Sequence, residues 1–143
     1  MTRPDRQPEP RYYTLEEARQ LLPRLRTLLG ALQDDKLQLD ATVEALGRLT
    51  PAMRGNGHSA DARHYEERIE ELLTAIRERV GQIAELGIEV KDIENGLVDF
   101  PSLRDGRAVY LCWRFDEPDI GYWHELDAGF AGRQPLDPGR NDG

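Results

Sequence analysis

The apolar residues of this chain change their spacing once, near Gly87. Before that point they recur every three or four residues, which predicts amphipathic helices, and after it they alternate with polar residues, which predicts strands. We therefore expect an α+β domain. A long antiparallel helical hairpin should occupy residues 12–87, and a small antiparallel β-meander should occupy residues 88–127.

The first helix is predicted from Thr14 to Leu49, because Thr14 and Glu17 have the spacing of a capping box. Its apolar stripe has a seven-residue repeat: Ala18, Leu25, Leu32, Leu39 and Leu46. Pro23 lies inside the stripe and should bend the helix without ending it. Residues 50–58 form a predicted loop, and a second helix should follow from about Asp61 (or Ser59) to Leu86. We expect a single domain over residues 12–136, a disordered lead over 1–11 and a frayed tail over 137–143.

Two antiparallel helices leave apolar surface on their far sides, which the meander, a second copy of the chain, or both must cover. The seven-residue repeat favours a homodimer through this helical seam. The first functional hypothesis is accordingly a non-enzymatic interaction or assembly domain, with a further protein partner possible.

The charge and cysteine content exclude several classes of function. The chain has 143 residues, a net charge of −8 and one cysteine. A strongly acidic chain is a poor binder of nucleic acid or of anionic membranes. A single cysteine excludes an intrachain disulfide and a cysteine-only zinc site. Without an apolar leader or a spanning segment in the sequence, a cytoplasmic location is expected.

Two turn motifs set the predicted register of the meander, whose strands are expected near residues 88–94, 97–104, 107–115 and 120–126. Asn95-Gly96 and Asp105-Gly106 both favour two-residue hairpins. The second of these places Asp99 opposite Cys112. A four-residue loop at 116–119 would then place Cys112 opposite Trp123 and Tyr110 opposite Glu125. On this register the apolar face, which should pack on the helices, holds ten residues: Val98, Phe100, Val109, Leu111, Trp113, Phe115, Ile120, Tyr122, His124 and Leu126.

The opposite face of the predicted meander is the candidate site. It mixes a thiol, aromatic rings, a guanidinium and carboxylates: Asp99, Tyr110, Cys112, Arg114, Trp123, Glu125 and Asp127. A tight turn at Asn95-Gly96 would add Asp92 beside Asp99. Three interpretations remain open: a structural face covered by the tail, a binding site for a small polar ligand or partner segment, and a metal site. A divalent metal is the cofactor that this face could hold, through Asp92, Asp99, Cys112 and Glu125.

Catalysis is less favoured than binding, because no acid–base pair has a partner geometry that the sequence defines. His124, assigned to the apolar face, is expected to be a hydrogen-bonded core histidine. Cys112 has no activating neighbour in the sequence beyond Arg114.

Several segments together resemble a bacterial family of unknown function, domain of unknown function 2203. The segments are YTLEEA (13–18), LLP (21–23), GLVDFPSLRDGR (96–107), VYLCWR (109–114) and YWHELDAGFAGR (122–133). The resemblance covers residues 12–136 and is most specific in the C-terminal third. It implies a small soluble bacterial protein, and it carries no activity over to this chain.

Overall fold

The computed structural model describes residues 11–49 and 59–136, which form two long helices and one antiparallel sheet. The helices are α1 (Leu15–Gly47) and α2 (Ser59–Glu85). The strands are β1 (Glu89–Asp92), β2 (Leu97–Arg104), β3 (Arg107–Arg114), β4 (Tyr122–Glu125) and β5 (Gln134–Pro135), and a 3₁₀ turn lies at Phe130–Gly132. The predicted α+β fold of a helical hairpin and a meander is confirmed. The predicted loop at 50–58, residues 1–10 of the lead and the tail at 137–143 lie outside the described residues.

The helical boundaries follow local chemistry. The hydroxyl of Thr14 accepts a hydrogen bond from the Glu17 amide at 3.1 Å, and the Glu17 carboxylate accepts one from the Thr14 amide at 2.9 Å, so the capping box is confirmed. Gly87, with a φ of +81°, follows the end of α2. Tyr13 links both helices to the sheet, since its hydroxyl donates to the Leu86 carbonyl and its amide donates to the Pro101 carbonyl.

The sheet covers the apolar stripe of α1 from Leu15 to Leu32. Four leucines of α1 are fully or almost fully buried in one cluster with Phe100, Leu111 and Trp113 of the sheet: Leu22, Leu25, Leu29 and Leu32. Farther along α1, Leu37 is 70% exposed and Val43 is 50% exposed. The large exposed apolar side chains of α1 therefore lie beyond Leu32. Neither described helix carries an apolar stretch long enough to cross a bilayer.

The sheet has the strand order β1-β2-β3-β4-β5, with every pair antiparallel. The register predicted for the central hairpin is confirmed, because Asp99 pairs with Cys112 and Arg104 pairs with Arg107. The turn between them has φ values of +54° at Asp105 and +78° at Gly106. Positive φ at both central residues is the type I′ geometry that matches the twist of a hairpin.

The register predicted between β1 and β2 is wrong. Asp92 pairs with Leu97, and Glu89, not Asp92, lies opposite Asp99. The cause is the Asp92 side chain, which accepts hydrogen bonds from the Asn95 amide at 3.3 Å and from its side-chain nitrogen at 2.7 Å. Asp92 therefore holds a longer turn, and the ladder is irregular between Val90 and Asp92.

The register predicted between β3 and β4 is wrong by one residue. Cys112 pairs with Tyr122, and Tyr110 pairs with His124. The connection between β3 and β4 covers residues 115–121 instead of the predicted 116–119, and Glu117 holds its conformation. The Glu117 carboxylate accepts from the Arg114 amide at 2.7 Å, and the Glu117 carbonyl accepts from the Trp113 indole at 3.0 Å. A shift of one residue moves every side chain of β4 to the other face.

The C-terminal segment adds a fifth strand beyond the predicted meander of residues 88–127. Tyr122 pairs with Pro135, and Trp123 pairs with Gln134. The Leu136 amide also donates to the Gly121 carbonyl at 2.9 Å. This segment lies along the outer edge of β4.

Candidate metal centre

The outer face of the sheet, which faces away from the core, bears Asp99 and Cys112 as predicted. The residues that β4 contributes to this face differ from the prediction. The slipped register of β4 places His124 there. Trp123 lies instead on the face that packs on the helices and is part of the core cluster. Glu125 lies opposite Val109 on that same side, and its carboxylate binds Arg107 at 2.7 Å. Trp123 and Glu125 therefore do not join the other predicted site residues.

Three side chains converge on the outer face: Asp99, Cys112 and His124. They come from three neighbouring strands, and one ligand atom of each lies within 4.8 Å of the other two. Asp99 and His124 are 2% exposed, and Cys112 is fully buried. Within the described residues this is the group of histidine, cysteine and acidic side chains with a geometry that could hold a metal ion.

His124 has a defined orientation because both ring nitrogens have partners. Nδ1 lies 2.6 Å from the Glu125 carbonyl oxygen, and Nε2 lies 2.9 Å from Oδ2 of Asp99. A carbonyl only accepts, so Nδ1 carries a proton and donates it. Nε2 and Asp99 then share one further proton across their contact. A backbone carbonyl holding Nδ1–H is the usual second contact of a histidine that binds metal through Nε2.

Asp99 is the unsatisfied member of the group. Its Oδ1 atom is buried and has no hydrogen-bond partner among the described residues. Burial raises the pKa of the Asp99 carboxyl, and the His124 contact opposes that rise. A buried carboxylate oxygen without a partner is costly, and a bound cation would remove that cost.

Cys112 lies beside Asp99 in the same interior. Burial, and after it the negative charge of Asp99, raises the pKa of the Cys112 thiol to about 12, although Arg133 partly opposes the rise. A thiol with this pKa is protonated at neutral pH and is not a nucleophile. Both nitrogens of His124 are already engaged, so His124 does not act as its base. The surroundings of Cys112 therefore do not activate its thiol as a nucleophile.

A layer of larger side chains closes the outer face over these three residues. On one side, the Tyr110 ring lies 5.4 Å from the His124 ring, and its hydroxyl donates to Glu89. The Glu89 contact raises the pKa of Tyr110 to about 12. Lys91 lies 5.1 Å from the centre of the Tyr110 ring. This cover explains how residues on the outer face of a sheet come to be buried.

On the other side the cover is Arg133. Its guanidinium lies 4.0 Å from the centre of the Tyr122 ring and 4.6 Å from that of Phe130. Nη2 donates to Glu117 at 2.6 Å and reaches the Cys112 carbonyl at 3.4 Å. The side chains of Arg133 and Glu117 are only 11% and 16% exposed. An ion pair this sheltered is screened less by solvent than a surface pair.

Two other candidates lie away from the centre. Arg114 is on the outer face, but its Nε atom binds Asp116 at 2.6 Å. Asp92 holds the turn that contains Asn95. Of the residues predicted from sequence, Asp99 and Cys112 form the centre, and Tyr110 covers it.

Sequence reasoning missed His124, Glu89 and Arg133. A signal for His124 was present in the four letters YWHE at 122–125. Tryptophan is a far larger apolar side chain than its neighbours, so the register that buries Trp123 in the core is favoured. That choice places His124 on the outer face beside Asp99. No local pattern indicates Arg133, because its position depends on how the C-terminal segment returns to the sheet.

A family model described as an uncharacterized conserved protein, DUF2203, matches residues 11–136 of the chain. No curated protein and no solved structure matches the chain. The match covers both helices and all five strands, and so includes the whole centre.

Proposed function

The chain belongs to the DUF2203 family, whose description names no activity, and we propose from the site itself that it is a divalent-metal-binding protein. The metal, with Zn²⁺ as the first candidate, is held by Asp99, Cys112 and His124. The observation that carries this proposal is the convergence of their three ligand atoms within 4.8 Å in a fully buried place.

The geometry fits a tetrahedral ion after small movements. Tetrahedral bonds of about 2.0 Å to nitrogen or oxygen and about 2.3 Å to sulfur place neighbouring ligand atoms roughly 3.3 to 3.5 Å apart. The Asp99–His124 contact at 2.9 Å needs to open slightly, and the spread of 4.8 Å needs to close slightly. Both changes require side-chain rotations within the group.

The ligand set favours one class of metal. Nitrogen and sulfur donors suit Zn²⁺ and neighbouring transition metals, whereas Ca²⁺ and Mg²⁺ require oxygen ligands. With Cys112 and Asp99 ionised, their two negative charges balance the charge of the ion. Three protein ligands leave a fourth position for water or another ligand.

The test is a titration with Zn²⁺ in competition with a chromophoric chelator, comparing the unmodified protein with Cys112→Ser. Serine has a similar volume and removes the sulfur ligand. We expect one Zn²⁺ per chain in the unmodified protein and an affinity at least about tenfold weaker in Cys112→Ser. Equal affinities would exclude Cys112 as a ligand, and absence of binding would overturn the proposal.

The pH dependence of the titration has a defined sign. Zn²⁺ binds the thiolate, and the Cys112 thiol is protonated below its pKa of about 12, so binding must release that proton. The affinity should therefore rise with pH, by about tenfold per unit for each proton released. A Zn²⁺ affinity that stays constant between about pH 6 and about pH 8 would contradict a thiolate ligand.

A second function, dimerisation through the helical hairpin, is supported by the exposed part of α1. The Leu37 and Val43 side chains are 70% and 50% exposed, in a segment where the helices contact each other through polar pairs such as Arg79–Asp35. Light scattering should show a dimer that Leu37→Glu converts to a monomer. A monomer in the unmodified protein would remove this proposal and leave the metal proposal standing.

A further inference from the structure

We propose that residues 126–136, which we call the strap, form a gate over the metal centre, and that the Arg133–Glu117 ion pair is its latch. This inference rests on the proposed metal function. It concerns how an ion reaches ligands that are almost completely buried.

The strap is the part of the cover that contacts Cys112 from the C-terminal side. Its Arg133 reaches the Cys112 carbonyl and the Glu117 carboxylate with the same nitrogen, Nη2. The guanidinium lies between the rings of Tyr122 and Phe130. Its Nε atom is buried and has no hydrogen-bond partner within the described residues, so the closed position does not satisfy all of the donors of Arg133.

Few other contacts hold the strap closed. Its strand, β5, has two residues, Gln134 and Pro135, and both are exposed. Phe130 is 42% exposed. The other attachments of the strap are the pairing of β5 with β4, the bond from the Leu136 amide to Gly121, the packing of the partly buried Leu136 side chain against the core, and the contact of Arg114 with the Phe130 ring. Segments with few buried contacts open at a lower free energy than the whole domain.

The opposite side of the cover is less able to move. Tyr110 belongs to β3, which is hydrogen-bonded on both edges, to β2 and to β4. Displacing Tyr110 and its strand would break the central ladder, whereas the strap can leave by breaking the short β4–β5 pairing. The strap also has a built-in bend, since Gly129 has φ +65° and ψ −168°, a conformation that only glycine adopts readily.

The chain has one cysteine, so covalent labelling of thiols reports on Cys112 alone. We would measure the rate of alkylation in native buffer at fixed pH for the unmodified protein and for Arg133→Ala. Opening the latch should raise the rate at least about tenfold. The positive charge of Arg133 lowers the pKa of the Cys112 thiol, so its removal alone would raise that pKa and slow the labelling. Faster labelling therefore reports access and not a more reactive thiol.

A matched control and a second variant separate the gate from general destabilisation. Arg107→Ala removes an arginine whose ion pair with Glu125 lies outside the strap, and it should leave the labelling rate within about twofold. Gly129→Ala strains the closed strap without touching the latch, because an added Cβ meets nothing within 4 Å, and it should also speed labelling. The urea midpoint of each variant is measured in parallel.

Labelling that is unchanged in Arg133→Ala and Gly129→Ala would overturn the gate. Labelling that rises only in proportion to a lower urea midpoint would overturn it as well, because access would then require global unfolding. A second experiment follows Zn²⁺ itself. Release of Zn²⁺ to excess chelator should be at least about tenfold faster in Arg133→Ala than in the unmodified protein. Binding of Zn²⁺ should be faster as well, so that the affinity stays nearly unchanged. If no Zn²⁺ binds at all, the metal proposal fails, and the labelling result still decides whether the strap opens.

Discussion

The Zn²⁺ affinity of a His124→Ala variant is expected to be at least about a hundredfold weaker than that of the unmodified protein. Even the loss of a residue that only hydrogen-bonds to a metal ligand can weaken metal affinity by about a hundredfold, and loss of the ligand itself should weaken it at least as much. His124 is the proposed nitrogen ligand, and its Nε2 atom lies 2.9 Å from Oδ2 of Asp99. The affinity is measured by competition with a chromophoric chelator. His64→Ala is the matched control, because His64 is an exposed histidine on α2 that takes no part in the centre.

His124→Ala also leaves Asp99 buried without its partner, which itself destabilises the fold. Asp99→Asn separates the two effects. The asparagine amide can donate to Nε2 of His124 and so keep the buried hydrogen bond, while the anionic ligand is lost. In the unmodified protein, free Zn²⁺ at a hundred times Kd should raise the free energy of unfolding by about 2.7 kcal/mol. Asp99→Asn should unfold at a similar urea concentration without metal and gain little from Zn²⁺. Equal stabilisation of both proteins would contradict the assignment of Asp99 as a ligand.

Replacing Gly96 with alanine is expected to destabilise the fold by about 2 to 5 kcal/mol, because two costs add. Gly96 has a φ of +64°, which disfavours any side chain. A Cβ atom there would also lie 2.4 Å from the Cβ atom of Phe115, whose amide donates to the Gly96 carbonyl at 2.9 Å. The backbones of the β1–β2 turn and of the segment after β3 would have to separate.

Gly106→Ala is the matched control for this prediction. Gly106 has a similar φ of +78°, but an added Cβ atom there meets nothing within 4 Å. Only the conformational cost remains, and we expect a loss of about 1 to 2 kcal/mol. Urea denaturation of both variants measures the difference. Equal losses would show that the contact with Phe115 yields without cost, and that the turn is not fixed against β3.

The fold could be predicted from sequence wherever a local rule decides the structure. The change in apolar spacing at Gly87 separates the helices from the sheet, and Thr14 with Glu17 marks the start of α1. The Asp105-Gly106 turn fixes β2 against β3, and so places Asp99 opposite Cys112. These two ligands of the proposed centre were therefore predicted correctly as neighbours.

The third ligand was missed because its position depends on the tertiary structure of one connection. The length of the 115–121 segment is set by the hydrogen bonds of Glu117 and by the burial of Ile120 in the core. Neither is a turn motif. The resulting shift of one residue exchanged Trp123 for His124 on the outer face, and so completed the buried group of Asp99, Cys112 and His124.

The central claim, that Asp99, Cys112 and His124 hold one metal ion, is tested most directly by X-ray absorption spectroscopy at the zinc edge on protein loaded with one equivalent of Zn²⁺. We predict one sulfur ligand at about 2.3 Å and the remaining nitrogen and oxygen ligands at about 2.0 to 2.2 Å. The sulfur signal should be lost in Cys112→Ser. A spectrum with only oxygen and nitrogen ligands in the unmodified protein, or the absence of bound Zn²⁺, would contradict the claim.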